Sequence, residues 1–349
     1  MSERPRIDLY SDTQTRPSRA MREAMANAEV GDEQRNEDPT VRELCSMVAE
    51  LLGKDAALFL PSGTMCNEIA YRTHTQPGDE IILHETSHAL HFEVGAPAAL
   101  SGVMLRTLPG ERGMFTADEV RGAIRGNFTH FQRSRLVSVE NTTNLGGGAV
   151  WSVDDLDEIA DVARENGLST HMDGARLMNA VVASGVPAST FARGWDSAWI
   201  DMSKGLGAPV GGVLAGSHEF IAQALRHKHQ FGGAMRQAGI IAAAGVYALK
   251  HNVERLAEDH DNARRFARLI AQIDGIGVDP DAIETNMIYF DVAGTGLTAP
   301  QVSKRLLEHG VRIGPFDERL MRAVTHLDVD TDGVEEAAQA LRMVVGDGA

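Results

Sequence analysis

Between residues 40 and 250 the chain alternates short apolar runs with amphipathic stretches, and this alternation leaves few folds open. DAALFLPSG reads as a strand entering a turn, and TMCNEIAYRTHT as the helix after it. QPGDEIILHE is a Pro-Gly stop followed by a strand, and RSRLVSVENT is a strand with an acidic end. SVDDLDEIADVARENG carries the signals of a helix: Ser152 suits the N-cap, Asp155 the N3 position and Gly167 the C′ position. LSTHMDGAR and DSAWIDMSKG are two further strands. Strands separated by helices imply crossover units, hence an α/β fold with a mostly parallel central sheet and helices on both faces.

The texture changes near residue 251. A charged helix, HNVERLAEDHDNARRFARLIAQ, leads to the short strands GIGVDP and TNMIYFDVAG. The helix APQVSKRLLEHG, the strand MRAVTHLDVD and the helix VEEAAQALRMVV follow. The expected division is an N-terminal arm over 1–20, a large domain over 21–250 and a smaller C-terminal α+β domain over 251–349. A chain of 349 residues is long enough for both domains.

Composition narrows the function. The formal charge of −16 argues against nucleic acid or an anionic membrane as partner, because phosphate contacts need clustered Lys and Arg. No apolar run is long enough to span a bilayer, and the first residues, MSERPRIDLYSD, do not read as a secretory leader. Cys45 and Cys66 are too few for a disulfide framework, so the expected compartment is the cytoplasm.

In an open parallel sheet, ligands bind beyond the carboxyl ends of the strands. Ser62-Gly63-Thr64 follows one strand and opens a helix, which makes it either a phosphate cup or an ordinary helix start. Asp173 ends another strand with Arg176 one turn on; the pair is either a surface ion pair or an acceptor and fork for a ligand. Lys204 lies between an apolar strand and a Gly-rich loop, where it either snorkels or presents a desolvated amine able to attack a carbonyl. Together, in this order, the three supply what pyridoxal phosphate requires: a helix terminus for the phosphate, a carboxylate for the pyridinium nitrogen and a lysine for the aldehyde. His88 is a candidate for the flat group over the ring. HETSH, residues 84–88, matches the zinc pattern H-E-x-x-H, but His84 ends a strand and the chain bends before His88. The helical spacing that pattern needs is therefore lost, and no metal is expected.

The ordered blocks IDLYSDTQTRPS, EDPTVREL, FLPSGTMCN, HFQRSRLVSVENT, HMDGARLMNAVV, SKGLGAPVGG, GGAMRQAGIIAAAGVYAL and RAVTHLDV resemble the threonine aldolases. These are pyridoxal-phosphate enzymes of the aspartate-aminotransferase type, fold type I, related to the β-eliminating lyases. The resemblance implies that Lys204 binds the cofactor's aldehyde, that Asp173 pairs with its ring nitrogen and that Gly63 and Thr64 hold its phosphate. Arg236 would add a phosphate contact from a neighbouring subunit. Ser11, Arg176 and Arg322 would hold the substrate carboxylate. His88 would stack on the ring, His130 would lie near the β-hydroxyl, and either histidine could be the base. Glu140 and Asn141 would end their strand at the same mouth. The implied reaction cleaves the Cα–Cβ bond of a β-hydroxy-α-amino acid to glycine and an aldehyde, with β-elimination as the alternative. The implied assembly is a homo-oligomer, a dimer of dimers with shared active sites. Where relatives differ, Arg35 and His229 either add charge favouring an acidic substrate such as 3-hydroxyaspartate or reflect neutral variation.

Overall fold

A computed structural model describes residues 5–346. They form two compact units, residues 17–253 and residues 5–16 with 254–346. The strands, in chain order, are β1 (Ile7–Asp8), β2 (Ala56–Leu60), β3 (Glu80–His84), β4 (Met104–Leu108), β5 (Ser134–Glu140) and β6 (Ser169–Asp173). They continue with β7 (Ser197–Asp201), β8 (Gly212–Gly216), β9 (Met287–Asp291), β10 (Val311–Arg312), β11 (Gly314–Pro315) and β12 (Leu320–Val324).

The larger unit is built on a seven-stranded sheet in the order β2-β8-β7-β6-β5-β3-β4. β4, β3, β5, β6 and β7 pair parallel, while β8 runs against both β7 and β2. Six strands therefore share one direction, and their carboxyl ends share one edge. Every residue of β3, β7 and β8 is buried, and for β3 and β7 this is why the segments read as apolar runs and not as alternating ones. The helix Val153–Glu165 begins as its sequence dictates: the Ser152 hydroxyl accepts from Asp155 N at 3.0 Å, and Gly167 closes the other end with φ 68°.

Two local expectations are corrected. The helix placed over 251–272 begins only at Leu256 and runs to Ile270, His251 being the last residue of the preceding helix, Gly239–His251. GIGVDP contributes only a single bridge, Gly277 to Asp291. In the N-terminal segment Ile7–Asp8 pairs parallel with Val311–Arg312, and Ile7 and Leu9 are buried in the core of the smaller unit with Phe266, Phe290 and Leu341. Residues 18–20 already lead into the helix Arg19–Ala26, capped by Ser18. The smaller unit is completed by the antiparallel sheet β11-β12-β9 and the helices Leu256–Ile270, Ala299–Glu308 and Thr331–Gly346.

Candidate active site

Four chemically distinctive segments of the larger unit meet at the carboxyl edge of its sheet. The register of β5 and β6 sets Glu140 beside Asp173 at their ends. Asp173 is buried, and its carboxylate is fixed from two sides: Oδ1 accepts from Ala175 N at 2.9 Å and Oδ2 from Asn67 Nδ2 at 2.7 Å. Lys204 lies in the turn after β7, its Nζ 3.2 Å from Asp201 and 5.9 Å from the centroid of the Trp199 ring.

The link between these groups is Asn67, in the interior of the helix Gly63–His74. Its amide nitrogen donates to Asp173 and, at 2.7 Å, to Glu93; its oxygen accepts from Trp199 Nε1 at 2.8 Å and lies 3.1 Å from His171 Nε2. The Trp199 indole, so held, packs against the start of the same helix. A Cβ on Gly63 would come within 2.3 Å of its ring, so the residue is glycine because the backbone lies against an immobile aromatic. Gly63→Ala is expected to cost about 1–3 kcal/mol of stability, since the buried indole cannot withdraw, and to weaken ligand binding at this terminus. Thermal unfolding and a cofactor titration check both.

The Ser62 hydroxyl accepts from Met65 N at 3.2 Å, and the first backbone bond of the helix runs from Cys66 N to Ser62 O. The N–H groups of Gly63 and Thr64 precede that bond and are available to an anion. Thr64 is exposed at the mouth.

His88 opens the short helix His88–His91; its backbone N–H donates to Glu140 at 3.0 Å and its Nδ1 to Glu93 at 2.9 Å. Burial opposes charge on this imidazole, but the Glu93 hydrogen bond and the charges of Asp173, Glu93 and Glu140 outweigh it and raise its pKa. Burial and the neighbouring Asp173 charge push the Glu140 carboxyl up to about 7. His84 belongs to a different element: it ends β3, with Nδ1 2.8 Å from Thr86 and Nε2 3.2 Å from the Gly110 carbonyl. The two histidines of HETSH thus share no helix face.

Of the remaining sequence candidates, Arg176 stays at this edge and the others lie on other elements. Arg176 is buried at the start of the helix Leu177–Ser184, its N–H 3.4 Å from the Asn141 carbonyl. Arg236 is largely exposed and pairs with Asp32 at 2.9 Å. His130 is exposed beside Phe128, in the loop preceding β5. That loop is tied by Arg125 and Gln132 to Glu80, the first residue of β3. It is thus anchored at the amino edge of the parallel strands, and the chain does not itself bring His130 to the Asp173 cluster. Ser11 and Arg322 belong to the smaller unit. The Ser11 hydroxyl accepts from Thr13 N at 3.2 Å, and Arg322 lies on the middle strand β12. Arg35 is exposed and faces Asp32 at 3.9 Å, and His229 is exposed in the last turn of the helix His218–Gln230.

Sequence reading missed Asn67, Glu93 and Trp199. An asparagine inside a helix and a tryptophan inside a strand look like packing residues. The spacing of Asn67 from the helix start at Gly63, one turn, was the only available signal.

The fold is that of the pyridoxal-phosphate enzymes of fold type I. An aspartate aminotransferase from Rhizobium meliloti superposes with a TM-score of 0.69 at 16% identity, covering 98% of this chain and 92% of that one. A threonine aldolase from Leishmania major superposes with a TM-score of 0.82 at 20% identity, covering 97% and 99%. The chain belongs to the beta-eliminating lyase family, which residues 8–293 match. Among its relatives, the low specificity L-threonine aldolase of Escherichia coli K12 is 42% identical over 333 residues, 95% of this chain and 97% of that protein. Low-specificity L-threonine aldolase 1 of Arabidopsis thaliana is 40% identical, covering 94% and 93%.

Proposed function

We propose that this chain is a pyridoxal-phosphate-dependent carbon–carbon lyase that cleaves threonine and related β-hydroxy-α-amino acids to glycine and an aldehyde. The observation that carries the proposal is the Asn67–Trp199 junction. It joins a buried strand-end carboxylate, a desolvated lysine and a free helix terminus in one place, with 40–42% identity to L-threonine aldolases behind it.

The residues fit the cofactor. Gly63 lies where a side chain would collide with Trp199, so the backbone N–H groups stay open to a phosphate. Asp173 is a buried acceptor whose two fixed oxygens suit a protonated ring nitrogen. Both polar side-chain atoms of Asn141, next to the end of β5, are buried with no hydrogen-bond partner among the described residues, as expected of a group that meets a polar ligand. Bound there, pyridoxal phosphate supplies an electron-accepting ring that takes up the pair released when the Cα–Cβ bond breaks.

In this reading Lys204 binds the aldehyde, Asp173 keeps the proton on the ring nitrogen, and Gly63 and Thr64 grip the phosphate. Arg236 adds a phosphate contact from a neighbouring subunit in a homo-oligomer, a dimer of dimers with shared sites. Ser11, Arg176 and Arg322 would bind the substrate carboxylate and so orient the substrate. The imidazole of His88 would be the flat group packing on the cofactor. Because its Nδ1–H is spent on Glu93, Nε2 of the neutral imidazole is the atom that would take the proton of the β-hydroxyl. His130 acts only where another part of the assembly brings it near. Arg35 and His229 are exposed and on elements other than those that carry Asp173 and Lys204, and no preference for an acidic substrate is proposed.

Product analysis tests the reading. Purified protein with cofactor and L-threonine is expected to release glycine and acetaldehyde in equal amounts. Ammonia with a 2-oxo acid would instead mark β-elimination.

A further inference from the structure

Beneath His88 lies a second buried acid that the reaction above does not use. Glu68, on the helix Gly63–His74, and Glu93 are neighbouring acids, 1% and 2% exposed. Glu93 Oε1 receives both Asn67 Nδ2 and His88 Nδ1, at 2.7 and 2.9 Å. Glu93 Oε2 and both oxygens of Glu68 are buried and meet no donor among the described residues. Two neighbouring buried carboxylates repel each other, and a proton on one of them relieves the repulsion and supplies the missing donor. Glu93 already accepts two N–H groups, whereas Glu68 accepts none among the described residues, which makes Glu68 the acid with a proton to give.

We propose that Glu68 is a positioning residue whose neutral carboxyl donates to Glu93 Oε2, leaving Glu93 Oε1 as the fixed acceptor that orients His88 and Asn67. One short relay then runs from Glu68 through Glu93 to the imidazole over the cofactor site, and through Asn67 to Asp173. Burial, the Glu93 charge and the Glu93 hydrogen bond hold the Glu68 proton to about pH 9. The other titratable groups of this neighbourhood are His88, Asp173, Glu140, Tyr71 and Cys66. Without the shared proton, Glu93 would face a second anion and draw its hydrogen bonds away from a single geometry.

The effect on rate rests on the aldolase reading; the protonation does not. Infrared difference spectroscopy of the holoenzyme, wild type minus Glu68→Gln, is expected to show the carbonyl stretch of a neutral carboxylic acid at neutral pH. That band should fade as the pH rises through about 9. Glu140 is unchanged in both proteins and cancels. In the cleavage assay Glu68→Leu is expected to lose about tenfold in kcat with little change in KM, because His88 loses its fixed partner. Glu68→Gln, which restores a donor to Glu93, should recover most of that loss. Identical infrared spectra for wild type and Glu68→Gln would overturn the proposal. So would equal rates for Glu68→Gln and Glu68→Leu. A wild type that cleaves no threonine yet shows the band would refute the aldolase reading while supporting the proton on Glu68.

Discussion

Lys204→Ala is expected to abolish turnover, lowering kcat by about a thousandfold or more, as loss of a covalent anchor does. The argument starts from the strand before it. β7 is buried throughout and delivers Lys204 to the carboxyl edge, where its side chain is only 16% exposed and lies over Trp199. No other described lysine has this placement. Lys228, the other deeply buried one, is held by Glu33 and by the Phe59 carbonyl at 2.8 Å. The substitution removes one partner of Asp201, whose carboxylate still accepts from Ser203 N at 2.7 Å, so the fold should survive. Unchanged thermal unfolding, loss of the cofactor's lysine-bound absorbance and loss of glycine formation make up the expected result. Retention of the absorbance in the variant would show that the aldehyde is bound elsewhere.

Asp173→Asn is expected to be nearly as damaging, costing about a hundredfold to a thousandfold in kcat. The amide can keep a hydrogen bond from Ala175 N, but it clashes in donor sense with Asn67 Nδ2 unless one of the two amides turns over. More important is the lost charge. A neutral group cannot stabilise a protonated ring nitrogen, and electron withdrawal from the breaking bond falls with it. The same anion helps to raise the pKa of His88, so in the variant the His88 pKa should move down. The pH dependence of kcat/KM and an imidazole titration report this separately from the rate. An unchanged His88 titration alongside a large rate loss would mean that Asp173 acts on the cofactor alone.

Much of this was legible in the chain because burial on both faces writes itself into sequence. β2, β3, β5, β6 and β7 appear as apolar runs ended by polar residues, and those ends are where Gly63, Asp173 and Lys204 stand. β4 and β8 did not stand out. β4 is an edge strand whose burial is partial, so MLRTL carries no apolar run. β8 is a glycine-flanked five-residue segment between two partners, and its reversed direction has no local signature. The site divides in the same way. Residues at strand ends declare themselves, whereas Asn67, Glu93 and Trp199 matter only because three elements distant in sequence converge on one amide. The fate of His130 is a matter of topology: a loop tied to the start of β3 cannot be placed by reading its own residues.

The central claim is that the cofactor is held at Lys204, and chemical trapping reads it directly. Borohydride treatment of the holoenzyme, followed by digestion and mass spectrometry, should find a pyridoxyl group on the peptide containing Lys204 and on no other lysine. A label on Lys228 or Lys54, or none at all, would contradict the account.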